Sequence, residues 1–121
     1  MTLPQWLRKF NDQNFAWGIS DCAEFGVGWL ENQTGIDYLN KYRPWSSARE
    51  AVKILQCAGG FETLFSKHLT HIHSALAHDG DITVMDGAAS IFSGRHVVSL
   101  GQHGLIFQNR MLVSEAWLCR S

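Results

Sequence analysis

Apolar side chains recur at helical spacing through the first two thirds of the chain and at strand spacing through the last third, with the change near residue 80. Leu3, Trp6, Leu7 and Phe10 stand at i, i+3, i+4 and i+7, and Pro4 suits a first helical turn, so a short amphipathic helix is predicted to open the chain as a lid or flank. After a break from Asn11 to Gly18, Ser20 and Asp21 can cap a helix over about 22–34, with Phe25, Gly26, Trp29 and Leu30 on one face and Gly35 as its stop. Pro44, Ser46 and Ser47 introduce a third helix carrying Ala48, Ala51, Val52 and Leu55. Gly59 and Gly60 end it, and Phe61, Leu64, Phe65 and Leu69 mark a fourth. From Gly80 the pattern breaks into β runs at 81–86, 96–100, 104–108 and 111–117, with Gly101-Gln102 and Gln108-Asn109-Arg110 as tight turns, which predicts an antiparallel meander. Helices first and strands second is an α+β plan: a helical half over about 1–79 packed on a sheet half over about 80–121.

The length of 121 residues suits one domain with one core, and 45% apolar and 12% aromatic residues argue against disorder. Ten Lys and Arg against eleven Asp and Glu leave a formal charge of −1, so no basic field exists to hold a phosphate backbone and nucleic acid is not an expected partner. No apolar run reaches the eighteen or so residues that a membrane span needs. The N-terminal stretch places Trp6 ahead of Arg8 and Lys9, the reverse of a secretory signal, so the expected location is the cytoplasm. Cys22, Cys57 and Cys119 are odd in number and lack Cys-x-x-Cys spacing, which predicts neither a disulfide framework nor a zinc ribbon.

Cys22 is the residue richest in chemistry, because the predicted central helix begins on it, after two capping residues and a turn at Trp17-Gly18-Ile19. Free amides and the helix dipole at such a position favour a thiolate and can hold an oxyanion, two needs of acyl transfer. An imidazole base is the third need, and the sheet half supplies His96 and His103 at the edges of predicted strands. His68, His71, His73 and His78, followed by Asp79 and Asp81, are rich in potential metal ligands, but no single element turns all four imidazoles to one face; they read as a solvated polar helix end, with no metal expected. Cys57 and Cys119 read as small apolar packing residues.

Phe15-Ala16-Trp17-Gly18 followed by Asp21-Cys22-Ala23-Glu24-Phe25 resembles the NlpC-type cysteine peptidases of the papain-like superfamily, whose motif runs Tyr-x-Trp-Gly-Gly and then Asp-Cys-Ser-Gly-Phe. Gly80-Asp81-Ile82 and His96-Val97-Val98-Ser99-Leu100-Gly101 resemble that family's Gly-Asp-Leu and His-Val-Gly-Ile-Tyr-Leu-Gly strands. Trp29-Leu30-Glu31, Thr34-Gly35 and Ala116-Trp117 are similar to a small prophage-borne branch of the superfamily. The resemblance implies a papain-like α+β fold and a cofactor-free Cys and His hydrolase acting on an amide or peptide bond, cell-wall peptides included. Cys22 would be the nucleophile, His96 the base and Gln108 its orienting group. His103-Gly104-Leu105-Ile106-Phe107 is a rival match to the His motif, with Glu115 or Ser114 then orienting. The family's Tyr is Phe15 here and its Ser-Gly is Ala23-Glu24, departures that bear on substrate more than on the minimal machinery. A phage or prophage context is implied too, with phage tail proteins as partners and a virion as a destination. The competing expectation is a noncatalytic tail or assembly protein that keeps the fold.

Overall fold

The protein is described by a computed structural model covering residues 1–13, 16, 21–38, 40 and 44–119, with the side chains of 55–58 outside that description. The turn at 17–19, the Ser20 cap and Phe15 lie outside the described residues, as do the side chains of Leu55 and Cys57. Among the described residues, four α-helices precede a six-stranded sheet. Helix α1 (Leu3–Asp12) starts with a capping box, in which the Thr2 hydroxyl accepts from the Gln5 amide and the Gln5 side chain accepts from the Thr2 amide. Its Trp6 and Phe10 are buried against α2 (Cys22–Thr34), and the Trp6 indole donates to the Phe25 carbonyl at 3.0 Å. Asp21 caps α2, and Gly35 ends it in the left-handed region (φ 79°), its amide donating to the Glu31 carbonyl at 2.7 Å. Helices α3 (Ala48–Ala58) and α4 (Gly60–His68) pack on each other, separated by the left-handed Gly59.

The strands are β1 (His71–His73), β2 (Ile82–Met85), β3 (Ala88–Ser93), β4 (His96–Gly101), β5 (Gly104–Asn109) and β6 (Glu115–Trp117), all pairings antiparallel, in the order β1-β6-β2-β3-β4-β5. The α+β plan is therefore present, and β2 to β5 form an antiparallel meander, but not the expected one: it takes in 88–93 and leaves out the last strand, since β6 lies between β1 and β2 instead of beside β5. The runs themselves depart from the expectation in four places. The run 88–93, with its small Ala88 and Ala89, is a full strand at the sheet's middle that periodicity did not single out. His71–His73 is strand rather than helix end, because β6 offers it a ladder through Ile72 opposite Ala116. The run 111–117 is strand only from Glu115, since Asn109 accepts from the Met111 amide and tightens 110–112 into a 3₁₀ turn, which Arg110 fixes by donating to the Ser74 and Ala77 carbonyls. Finally, the β4–β5 turn falls on Gln102 and His103, one residue later than expected, because Gly101 and Gly104 are the closing pair.

One face of the sheet lies under the helices. Ala89, Ile91, Val98, Leu100 and Trp117 join Trp6, Phe25, Trp29, Leu30 and Phe65 in the main core. On the other face Phe92, Val97 and Ala116 form a smaller cluster with Ala77, and the Arg110 guanidinium lies 4.9 Å from the Phe92 ring centre. Gly26 is the closest point of helix to sheet: a Cβ there would come within 2.4 Å of the Ala89 Cβ. Only glycine permits that approach. Among the described residues no helix is long and apolar enough to cross a membrane.

Candidate functional site

Asp21 is fully buried at the start of α2, where its Oδ1 accepts from the Glu24 amide at 2.9 Å and its Oδ2 from the Trp45 indole at 2.6 Å. The carboxylate thereby ties the helix start to the loop ahead of α3. Cys22 follows as the first helical residue, half-buried. Burial pushes its thiol pKa up and the adjacent Asp21 carboxylate adds to this, while hydrogen bonding to the amides of Ala23 and of Cys22 itself pulls the other way. The direction is upward overall. The helix-start amides act with the expected sign, but burial, with the Asp21 charge added to it, outweighs them.

The direction of α2 across the sheet decides which histidine lies at its N-terminal end. Gly26 abuts Ala89 near the start of β3, whereas Trp29, three residues on, donates to the carbonyl of Gly80, whose own amide bonds to Phe92 near the end of β3. Helix and strand therefore run the same way, and Cys22, one turn before Gly26, lies toward the Ala88 end. Since Ile91 pairs with Val98 antiparallel, that end of β4 is its C-terminal one, at Leu100 and Gly101, followed by the Gln102-His103 turn. Helix α1 joins the same corner: Phe10 meets the Phe25 ring at 5.3 Å, and the next residue, Asn11, sits beside Gly104. Asn11, Asp12 and Gln13 line an open recess with Leu100, Gly101, Gln102, His103 and Gly104.

His96 is at the opposite end of β4, opposite Ser93 and Asn109, about 16 Å along the strand from Gly101. It is exposed, with its ring edge against Phe107. Gln108 pairs with Val97, whose side chain belongs to the cluster on the face away from the helices, so Gln108 points away from both His96 and α2. The structure thus does not bring Cys22, His96 and Gln108 together. Sequence adjacency misleads here because alternate strand residues face opposite ways. Ser114 and Glu115 are likewise remote from His103, since β6 is four strand spacings from β5, roughly 19 Å. The polar group that shares a recess with His103 is instead the end of α1, Asn11 and Asp12. Their signal in the sequence is only a polar pair at a helix end.

The remaining candidates are occupied locally. His71 pairs with Glu115 at 3.4 Å and stacks on Trp117, His73 Nδ1 accepts from the Ala75 amide at 3.0 Å, and His68 rests on Tyr38. Among the described residues no three His, Cys, Asp or Glu side chains are grouped to hold a metal ion. Cys119 is buried, and its amide donates to Asp81 Oδ1, while Oδ2 accepts from the His78 amide. Burial and the Asp81 carboxylate push the Cys119 thiol up to about 12.

No curated protein and no solved structure matches the chain. A family model does, over residues 1–119, nearly the whole length and every element described above. The chain belongs to the family described as a domain of unknown function, DUF6950.

Proposed function

We propose that this protein is a thiol hydrolase of papain-like, NlpC type, acting on an amide or peptide bond with Cys22 as nucleophile, His103 as general base and Asp12 as the group that orients the imidazole. The observation that carries the reading is the shared corner: the N-terminus of α2, the C-terminus of α1 and the β4–β5 turn lie at one end of the sheet, where Asp12 and His103 line one recess. The imidazole takes the thiol proton and, as imidazolium, offsets the burial and the Asp21 charge that raise the thiol pKa. Attack forms the carbon–sulfur bond and a tetrahedral oxyanion, with amides at the start of α2 as its donors. Collapse breaks the carbon–nitrogen bond, the imidazolium gives its proton to the leaving amine, and water then releases the acyl group from sulfur. A cell-wall peptide and a phage or prophage setting remain the substrate class and context that the motif resemblance suggests.

The test is iodoacetamide labelling of Cys22 against pH in wild type, His103→Ala and His96→Ala. His103→Ala should slow labelling at neutral pH and raise the apparent thiol pKa by on the order of a unit. His96→Ala should leave the profile in place. If neither substitution moves it, no imidazole is coupled to the sulfur and the hydrolase reading fails. The second reading, a noncatalytic member that keeps the fold as a tail or assembly component, is favoured by one observation: burial, with Asp21 beside it, raises the Cys22 thiol pKa.

A further inference from the structure

Aspartate is followed by glycine twice in the chain, at Asp79-Gly80 and at Asp86-Gly87. A glycine in that place leaves the aspartyl carboxyl open to attack by the next backbone nitrogen, because no side chain shields the approach. By local sequence the two pairs are equivalent. The fold separates them.

Gly80 is buried and held on three sides. Its amide donates to the Phe92 carbonyl at 2.9 Å, its carbonyl accepts from the Trp29 indole at 2.7 Å, and a Cβ on it would lie 3.4 Å from the Trp29 ring. The Asp79 carboxylate is engaged too, its Oδ1 accepting from the Gly94 amide at 2.8 Å. For the Gly80 nitrogen to reach the Asp79 Cγ, the entry to β2 must first open.

Asp86 and Gly87 form the two-residue turn between β2 and β3, closed by Met85 opposite Ala88. Both have positive φ, 52° and 78°, as a type I′ turn demands, and among the described residues no other non-glycine has that conformation. Both are exposed, and beyond its chain neighbours no atom lies within 4 Å of the point where a Cβ on Gly87 would stand. Among the described residues neither the Asp86 carboxylate nor the Gly87 amide takes part in a hydrogen bond. Turning the 86–87 peptide toward the carboxyl loosens the tip of one hairpin, a local opening of low cost.

We propose that Asp86-Gly87 is a modification site at which the backbone converts from aspartyl to isoaspartyl, and that Asp79-Gly80 is protected from the same reaction. The Gly87 nitrogen attacks Cγ of the protonated Asp86 carboxyl; the nitrogen–Cγ bond forms, the Cγ–hydroxyl bond breaks, and the hydroxyl leaves with the amide proton as water. Water then adds to the succinimide at the Asp86 backbone carbonyl carbon, and the bond from that carbon to the Gly87 nitrogen breaks. The chain now runs through Cγ and a new α-carboxylate is left. Addition at Cγ instead restores aspartate. The water lost in the first step returns in the second, so nothing else is consumed. The isoaspartyl backbone is one carbon longer, which an exposed turn takes up as a longer loop, whereas at Asp79 the same carbon would push Gly80 off Phe92 and Trp29. The proposal is independent of the hydrolase reading, because neither Cys22 nor His103 takes part.

The test is to incubate wild-type protein at mildly acidic pH, folded and in parallel unfolded in urea. The Asp79 and Asp86 peptides are followed by electron-transfer mass spectrometry, and methyl acceptance from a labelled donor is measured with an isoaspartyl-specific carboxyl methyltransferase. In the folded protein Asp86 should convert at least about tenfold faster than Asp79, through a succinimide one water lighter, and in urea the two rates should come together. Asp86→Glu, whose side chain would have to close a larger ring, should remove most of the methyl acceptance of the folded protein. Equal rates at the two sites in the folded chain, faster conversion at Asp79, no conversion of folded Asp86 while the unfolded chain converts, or undiminished methyl acceptance in Asp86→Glu would each overturn the proposal.

Discussion

Cys22 and Cys119 each stand beside a buried aspartate that gathers N–H donors, Asp21 at the start of α2 and Asp81 at the entry to β2. Both carboxylates raise the neighbouring thiol, yet the outcomes differ. Cys119 has burial and Asp81 acting together, and its thiol is pushed up to about 12. Cys22 has the amides of a helix start opposing the same two influences, and it keeps part of its surface open. The two thiols thus differ in exposure and in the donors aimed at the sulfur, not in the charge next door.

The largest expected effect concerns the packing cysteine. A folded-state pKa raised above the unfolded value means that stability is fully present below about pH 9 and is lost as pH rises toward 12. For Cys119 the loss is on the order of 4 kcal/mol at the alkaline limit. Urea titrations from pH 8 to 11 should show this decline, and Cys119→Ala should flatten it. An unchanged slope in that variant would mean that the Asp81 region does not carry the alkaline sensitivity.

A smaller effect is expected where α2 meets the sheet. Gly26→Ala forces the helix away from Ala89, whose Cβ cannot yield, and should cost about 1–3 kcal/mol in urea unfolding despite alanine's better helix propensity. A neutral or stabilising result would show that α2 does not rest on β3 at this point, and with it would go the argument that places Cys22 at the His103 corner.

The smallest expected effect is read at the Cys22 thiol. Asp21→Asn keeps an oxygen for the Glu24 amide, gives up the acceptor of the Trp45 indole and removes the negative charge, so the Cys22 thiol pKa should fall, read as faster alkylation at pH 7. A rise instead would make Asp21 a helper of the thiolate and erase the parallel with Asp81.

Much of the helical half was legible in the residues themselves. Leu3, Trp6 and Phe10 repeat at the helical period, Gly35 and Gly59 sit where helices stop, and Asp21 precedes Cys22 as a cap, all consequences of backbone geometry within a few positions. Cys22 at a helix start followed from the same local rules. Which histidine lies at the same end of the sheet as Cys22 did not. His96 and His103 are both histidines at strand ends, and only the direction of α2 over β3, set by the contact of Gly26 with Ala89, separates the end of β4 near Cys22 from the end about 16 Å away. Gln108 was lost to strand alternation, and Glu115 to the return of β6 to the far side of the sheet. Local periodicity reads one element at a time; which elements become neighbours is settled by packing between residues far apart in the chain, and the recess that unites Asp12 with His103 exists only there.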